Sequence, residues 1–190
     1  MLASASPRRR ELLSRLCDEF VVAPTGVDES LPPGVSPDAA AVDIARRKAF
    51  AASQERAGAV LAADTIVVAA DGEILGKPAD DGDARRMLRR LSGTTHRVVT
   101  GVVFIERRGG RVVSASESTN VTMRPISDAE IAAYVATGES QGKAGAYAIQ
   151  ETADRFVTRV EGSWTNVVGL PLEVVERMLR SAGVPTRSWT

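Results

Sequence analysis

The sequence predicts an α/β fold, with a long mixed sheet flanked by helices, in one domain over residues 1–190. Strand-like and helix-like segments alternate along the first half of the chain. A Gly109-Gly110 turn between two β-rich runs favours an antiparallel hairpin in the middle. A length of 190 residues with 44% apolar residues suffices for one large core, in one domain or one domain with a lobed outline.

The composition excludes several classes of protein. Lysine and arginine number 24 and aspartate and glutamate 24, so no global field draws the chain to DNA or to anionic lipid. Cys17 and His96 are each the only residue of their type, which excludes an internal disulfide and a site with several histidines. A metal would need oxygen ligands. No apolar run reaches the ~18 residues of a membrane span, and the N-terminus is unlike a signal peptide, so we expect a cytoplasmic protein without membrane partners.

The first quarter of the chain predicts a short strand followed by two helices. Leu2–Ala5 reads as the strand, and Ser6 before Pro7 is a typical N-cap for the first helix. After the apolar run Phe20–Ala23, Ser36-Pro37 opens a long helix that should end near Gly58. The loop before this long helix is rich in turn residues and carries Pro24, Gly26, Asp28, Glu29, Pro32, Pro33 and Gly34.

The rest of the chain predicts one buried strand, a hairpin, another short strand and three helices. Asp64 is the single charge in the buried strand, and Ser127 with Glu130 forms a capping box. The predicted strands are Val60–Ala70, Arg97–Glu106, Arg111–Met123 and Phe156–Val160; the predicted helices are Asp80–Leu91, Ser127 to about Thr137, and about Leu172 to Ser181.

Three consecutive arginines in the first turn of a helix need an explanation. Arg8, Arg9 and Arg10 each oppose the helix dipole by about 0.3–1 kcal/mol. An anion at the helix N-terminus would make the arrangement favourable, and phosphate fits best, with Ser4 adding a hydroxyl donor. The alternative is a solvated basic turn that tolerates the cost.

Asp64 is the second feature that needs an explanation. An unpaired carboxylate in a buried strand would destabilise the fold by roughly several kcal/mol, or the side chain would have to stay protonated. A divalent cation is one candidate partner, and Glu29 could supply a second carboxylate. The alternative is an aspartate at a strand end that accepts hydrogen bonds from backbone amides.

Lysine is the third feature, since only three of the 24 basic residues are lysines, Lys48, Lys77 and Lys143. An ammonium contacts phosphate as a point charge without the fork geometry of arginine. Lys77 lies in the loop Gly76-Lys77-Pro78, and Lys143 lies in the glycine-rich segment Gly138–Gly145, which allows close backbone approach to a ligand or is an ordinary connection. The spacing of the glycines in Gly138–Gly145 excludes a P-loop, and no G-x-G-x-x-G follows a strand, which excludes the dinucleotide-binding fingerprint.

The lone histidine and the tryptophans carry weaker signals. His96 has no Ser, Cys or second His at a readable spacing, so we predict a structural role. Trp164 and Trp189 are assigned no part in catalysis, because a single aromatic residue is more often core, interface or tail.

Taken in order along the chain, short blocks resemble the Maf family of nucleoside triphosphate pyrophosphatases. They occur together over nearly the whole sequence. The blocks are Ala3-Ser4-Ala5-Ser6-Pro7-Arg8-Arg9 with Glu11-Leu12-Leu13, Val27-Asp28-Glu29, Ala45 with Lys48-Ala49, Ala63-Asp64-Thr65, Gly76-Lys77-Pro78, Ser92-Gly93 with His96, Thr100-Gly101-Val102, Tyr134 with Gly138-Glu139, Lys143 to Gln150, and Gly162-Ser163 with Asn166 to Leu172.

The resemblance implies hydrolysis of the bond between the α- and β-phosphates of a nucleotide, with Mg²⁺ or Mn²⁺ as cofactor. Asp64 would be the catalytic proton acceptor and, with Glu29, a metal ligand. Lys48 and Lys77 would neutralise charge on the triphosphate. It further implies a two-lobed α/β structure, related to the ITPase-like folds, with a cleft between the lobes, and a homodimer.

The resemblance also assigns the residues that bind substrate. Arg8 and Arg9 would hold phosphate oxygens, with Ser4 and Lys143 nearby. Arg8, Thr65 and Gln150 match positions tied to the choice of base, and their combination is similar to the branch acting on dTTP and UTP. The alternative is the branch for 7-methylated GTP, which has an aromatic in place of Arg8.

Three departures bear on these assignments. Glu151 stands where glycine is common, Trp164 replaces a common tyrosine, and the first strand is short. A non-catalytic regulator of cell division, or a nucleic-acid-binding protein that uses the arginine turn, is the competing hypothesis. One basic turn without interleaved aromatic residues is a thin nucleic-acid signature, so no stable nucleic-acid partner is expected.

Overall fold

The computed structural model describes residues 1–30, 34–55, 58–106 and 110–189. Pro32, Pro33 and Gly109, which the turn predictions included, lie outside this part of the chain. The α/β class is confirmed. The helices are α1 Pro7–Leu16, α2 Pro37–Glu55, α3 Asp81–Leu91, α4 Asp128–Ala136, α5 Trp164–Val168 and α6 Leu172–Ser181; the strands are β1 Val60–Val68, β2 Ile74–Leu75, β3 Thr95–Glu106, β4 Arg111–Met123 and β5 Val157–Glu161; two 3₁₀ helices are Ala144–Ala146 and Thr152–Phe156.

The five strands form one sheet in the order β2-β1-β3-β4-β5. The edge pairs are antiparallel, with β1 beside β2 and β4 beside β5. The strands β3 and β4 are neighbours, as the hairpin prediction requires. Leu2 adds isolated parallel bridges to Val22 and to Leu61, outside the five strands.

The first predicted strand is shorter than expected, because pairing is confined to the start of Leu2–Ala5. The amide of Ala3 donates to the carbonyl of Leu61 at 2.8 Å, and Leu2 carries the bridges. The chain then turns into α1, whose N-cap is Ser6. The early helix start therefore ends the strand and brings the arginine turn next to β1.

Residue contacts group the chain into two compact units. Unit 1 comprises Met1–Asp64, Thr100–Glu117 and Gly169–Thr190, and unit 2 comprises Thr65–Val99 and Ser118–Val168. The expectation of a single domain over residues 1–190 remains a prediction. No helix in the described residues is both long and apolar enough to cross a membrane.

Unit 1 is held together by close packing of small residues. Ala45, Ala49 and Ala52 of α2 are buried in an apolar cluster. Gly101 of β3 lies so near α2 that a Cβ atom there would stand 2.3 Å from the carbonyl carbon of Ala41. Only glycine at position 101 permits this approach, so this residue determines how closely α2 packs against β3.

Unit 2 has a larger apolar core, built around α3 and α4. The face of α3 that carries Leu88 and Leu91 is fully buried. The capping box of Ser127 and Glu130 at the start of α4 is confirmed in both directions. The helix α4 therefore begins where its capping residues indicated, and α3 follows Asp80, whose side chain accepts a hydrogen bond from the Asp83 amide.

Candidate active site

The arginine turn at the start of α1 has the predicted form. The Ser6 hydroxyl accepts a hydrogen bond from the Arg9 amide at 3.4 Å, with Pro7 as first helical residue and no acid in the first turn. Arg8 and Arg9 are half-buried and Arg10 is exposed. Within one helical turn the three cations therefore meet different environments.

Arg9 braces the middle of β1. Its Nη1 donates to the Ala63 carbonyl at 2.8 Å and to the Ser4 hydroxyl at 3.2 Å, and its Nε donates to the Gly169 carbonyl at 2.8 Å. Burial lowers the pKa of the Arg9 guanidinium, and the negative charges of Asp64 and Glu29 partly offset that effect. These carbonyl acceptors could not be predicted from the sequence, because main-chain oxygens carry no residue identity.

The partner of the buried acid is a lysine. The Nζ atom of Lys48, on α2, lies 2.6 Å from Oδ1 of Asp64, and both residues are buried, with 7% and 8% of their surface exposed. The same ammonium lies 2.7 Å from Oε1 of Glu29. Lys48 therefore bridges two carboxylates, and Asp64 has a charged partner rather than a cap formed only by backbone amides.

The loop that carries Glu29 is fastened to α2 by Arg47. The guanidinium of Arg47 donates to the carbonyls of Asp28 and of Ser30, the latter at 2.9 Å. Hydrogen bonds from Ser30 lower the pKa of the Asp28 carboxyl. Our reading of the sequence missed Arg47, although its position next to Lys48 on the predicted helix was a usable signal.

The donor set of Asp64 and Glu29 fits a hard divalent cation. The two carboxylates lie on either side of the Lys48 ammonium. Mg²⁺ typically takes one or two protein carboxylates together with phosphate oxygens and water. Among the described residues, no group of three or more His, Cys, Asp or Glu side chains could hold a metal ion. Among His, Cys, Asp and Glu in the described residues, the protein would then supply these two carboxylates as metal ligands.

In unit 2, the loop with Lys77 is joined to the segment with Lys143. The amide of Gly145 donates to the carbonyl of Gly76 at 3.0 Å. Gly145 has a φ of 68°, and a Cβ atom there would lie 3.0 Å from Val67. The close backbone approach expected of the glycine-rich segment is therefore present, and it brings the two lysine-bearing loops together.

Lys143 has a carboxylate partner that the sequence did not predict. Its Nζ lies 2.5 Å from Oε2 of Glu151 and also donates to the carbonyl of Glu139. The side chain of Glu139 in turn accepts hydrogen bonds from Thr152, at 3.1 Å from the amide and 2.7 Å from the hydroxyl. Glu151, noted above only as a departure from the family pattern, thus completes an ion pair.

The two remaining predicted substrate residues are half-buried. Thr65 follows Asp64 on β1, and Gln150 lies in the turn before the 3₁₀ helix Thr152–Phe156. Of the predicted site residues, unit 1 contains Ser4, Arg8, Arg9, Glu29, Lys48 and Asp64, and unit 2 contains Thr65, Lys77, Lys143 and Gln150.

His96 lies in the core of unit 2. Only 1% of it is exposed, its Nε2 is 2.7 Å from the Tyr147 hydroxyl oxygen, and the two rings meet edge to face. Burial lowers the pKa of His96 to about 4 and raises that of Tyr147. Trp164 is 41% exposed, whereas the Trp189 indole donates to Glu176 at 2.9 Å.

A basic helix start beside a buried acid and lysine defines a class of protein that handles phosphate esters or anhydrides. The family model described as Maf-like protein matches residues 1–182, and the chain belongs to this family. The resemblance predicted from the sequence is therefore confirmed.

Curated relatives match over nearly their whole length. A protein named dTTP/UTP pyrophosphatase from Salinibacter ruber is 52% identical over 184 residues, covering 96% of this chain and 90% of the relative. One of the same name from Geobacter sulfurreducens is 50% identical over 182 residues, covering 95% of each. A solved nucleoside-triphosphatase / dITP/XTP pyrophosphatase from Mycobacterium abscessus aligns with a TM-score of 0.42 at 15% identity, over 96% of this chain and 94% of that one.

Proposed function

We propose that this protein is a nucleoside triphosphate pyrophosphatase that splits the bond between the α- and β-phosphates of dTTP and UTP, yielding a nucleoside monophosphate and pyrophosphate. The observation that carries the proposal is the ammonium of Lys48 between the carboxylates of Asp64 and Glu29. The names of relatives that are 52% and 50% identical support the same activity.

Asp64 acts as the general base in this proposal. A water molecule forms a new bond to phosphorus, one of its protons passes to the Asp64 carboxylate, and the bond to the bridging oxygen between the α- and β-phosphates breaks. The electron pair of that bond leaves with the departing phosphate group. Lys48 holds the carboxylate in place at 2.6 Å and neutralises its charge until the proton arrives.

The other cations bind and orient the substrate. A triphosphate carries about four negative charges, so charge compensation and positioning supply much of the catalysis in such reactions. In the proposal, Arg8 at the helix start and Lys77 in its loop bind phosphate oxygens. Arg9 and Ser4 contribute from the brace on β1, and Lys143 from unit 2.

A divalent cation, Mg²⁺ or Mn²⁺, is part of the proposal and would supply charge neutralisation at the phosphate oxygens and at the attacking water. Asp64 and Glu29 would hold it, because they are the carboxylates that converge on one cationic centre. The ammonium of Lys48 lies between these two carboxylates and holds them close to one another.

The preference for dTTP and UTP rests on the names of the relatives and on Arg8, Thr65 and Gln150. An amide side chain such as that of Gln150 can both donate to and accept from a base edge. The finer parts of the proposal are a homodimer and a cytoplasmic location; light scattering coupled to size-exclusion chromatography tests the first, and cell fractionation the second.

The test is a panel of nucleotides incubated with the pure protein and either Mg²⁺ or Mn²⁺. We expect release of pyrophosphate, with dTTP and UTP hydrolysed fastest, and loss of activity on chelation that either metal restores. Water labelled with ¹⁸O would show which phosphorus is attacked, since the label enters either the monophosphate or the pyrophosphate. Release of orthophosphate from triphosphates would contradict the proposed scissile bond, and fastest hydrolysis of 7-methyl-GTP would contradict the proposed base preference.

A further inference from the structure

The segment of residues 143–151, here called the lysine loop, is closed at its ends by an ion pair. Nζ of Lys143 lies 2.5 Å from Oε2 of Glu151, across eight positions of sequence. The Lys143 side chain is only 13% exposed and that of Glu151 35%. The amide of Glu151 also donates to the carbonyl of Ala148 at 3.2 Å, so the second end of the loop has a backbone fastening as well.

The middle of the lysine loop is anchored by a separate buried contact. The hydroxyl of Tyr147 meets Nε2 of His96 at 2.7 Å, and these residues are 6% and 1% exposed. Nδ1 of His96 has no hydrogen-bond partner among the described residues. The Tyr147 hydroxyl is therefore the hydrogen-bond partner of Nε2, and burial keeps the ring neutral near pH 7, since it lowers the pKa of His96 to about 4.

Between these anchors the backbone adopts an unfavourable conformation. Gly145 has a φ of 68°, and Ala146, which carries a Cβ atom, has a φ of 61° and is fully buried. A left-handed alanine persists only where surrounding contacts hold it. The neighbouring residue in the chain is Tyr147, so the buried hydroxyl contact is well placed to hold this turn.

We propose that Tyr147, fixed by His96, and Glu151 are positioning residues that set the geometry of the lysine loop, and through it the discrimination between nucleobases. The inference rests on the proposed function, in which Lys143 and Gln150 of this loop contact the substrate. It assigns a role to three side chains that the proposed chemistry does not use directly.

The two kinds of contact made by the loop differ in their tolerance of movement. An ammonium attracts phosphate as a point charge over several ångströms, whereas the Gln150 amide must meet a base edge in hydrogen-bond geometry. Loss of an anchor therefore affects selection of the base more than the rate with the preferred nucleotide. Gln150 directly precedes Glu151. The Lys143–Glu151 ion pair therefore holds the chain next to the amide that must be positioned against the base.

The test compares Tyr147→Phe with Tyr134→Phe, which removes another buried tyrosine hydroxyl in the same unit. A second pair compares Glu151→Gln with Glu161→Gln, whose carboxylate lies 2.9 Å from the exposed Arg159. For Tyr147→Phe and Glu151→Gln we expect the ratio of kcat/KM for dTTP over dCTP to fall about 10-fold, mainly through KM, because misplacement by about 1 Å costs up to ~100-fold. The control variants should keep the wild-type ratio.

Hydrogen exchange gives a readout that does not depend on turnover. Amides of the lysine loop should exchange faster in Tyr147→Phe than in Tyr134→Phe, while the rest of unit 2 stays protected. An unchanged base ratio in both loop variants, in a wild type that prefers dTTP, would overturn the inference and leave the proposed function standing. A wild type that releases pyrophosphate from no nucleotide would contradict the proposed function itself, and the inference with it.

Discussion

Lys48 in unit 1 and Lys143 in unit 2 are both ammonium groups paired with a carboxylate, yet their surroundings differ. Lys48 lies between two carboxylates, at 2.6 Å from Asp64 and 2.7 Å from Glu29. Lys143 has one carboxylate at 2.5 Å and a carbonyl oxygen as second acceptor. At Lys48 two carboxylates meet one ammonium, with the Arg9 guanidinium as the next positive charge; at Lys143 one carboxylate meets one ammonium, and the pair joins the two ends of a loop.

The comparison shows that one kind of ion pair, a lysine with a carboxylate, is built from different elements in the two units. In unit 1 the acid comes from a buried strand and the lysine from a helix, so both groups are held rigidly. In unit 2 the lysine and the acid are the two ends of one loop, and their pairing fixes that loop. Each prediction below removes one feature of this contrast.

The largest effect is expected from Lys48→Met, which removes the ammonium but retains an unbranched side chain. The buried Asp64 carboxylate would then lose its ammonium partner, whereas Glu29 is exposed to solvent, and breaking a buried pair typically costs about 3–5 kcal/mol. Activity should fall at least about 100-fold, because the proposed base loses its orienting partner. Arg46→Met, which removes an exposed cation on the same helix, is the control. Urea unfolding and pyrophosphate release give the two readouts, and near-normal values in both would refute the role of Lys48.

A smaller effect is expected from Arg9→Ala, which removes the brace on β1. The carbonyls of Ala63 and Gly169 would lose their charged donor, and an unsatisfied buried acceptor costs about 1–3 kcal/mol. We expect about 2–4 kcal/mol less stability, together with a raised KM for the nucleotide. Arg10→Ala is the matched control, since Arg10 is exposed in the same helical turn, and its effect on stability should stay within about 0.5 kcal/mol. Equal effects of the two variants would contradict the brace.

The smallest effect is a pH dependence of stability in unit 2. Burial lowers the pKa of His96 from its usual 6.5 to about 4, so between these values the unfolded chain binds a proton that the folded chain does not. Stability should therefore fall as the pH falls through this window, by about 1.4 kcal/mol for each pH unit below 6.5 at most. Urea midpoints of the wild type and of His96→Gln across the window measure it, and the variant should lack this component. A wild type as stable near the lower end as at neutral pH would show that His96 accepts the proton in the folded state.

Local signals in the sequence predicted most of the helices and strands. Ser6 before Pro7, and Ser127 with Glu130, marked helix starts that the structure has, because capping depends on residues a few positions apart. The strand β2, the helix α5 and both 3₁₀ helices were missed, since segments of two to five residues carry no periodic pattern.

The partners within the site were harder to predict than its members. Asp64 and Glu29 stood out as carboxylates, but the bridge between them comes from Lys48, which lies on a different element from Asp64, 16 positions away. Arg9 binds main-chain oxygens up to 160 positions away, for which no sequence signal exists. Such pairings depend on packing, for example on the glycine at position 101 that lets α2 approach β3.

The most direct test of the account is the rate of pyrophosphate release by Asp64→Asn compared with Asp71→Asn, which alters an exposed aspartate. The asparagine keeps the shape of the side chain at position 64 and its contact with Lys48, but it cannot accept the proton. We predict a fall in kcat of about 10²–10⁴-fold for Asp64→Asn, at an unchanged fold, and a normal rate for Asp71→Asn. A fully active Asp64→Asn would contradict the claim that this buried carboxylate is the base.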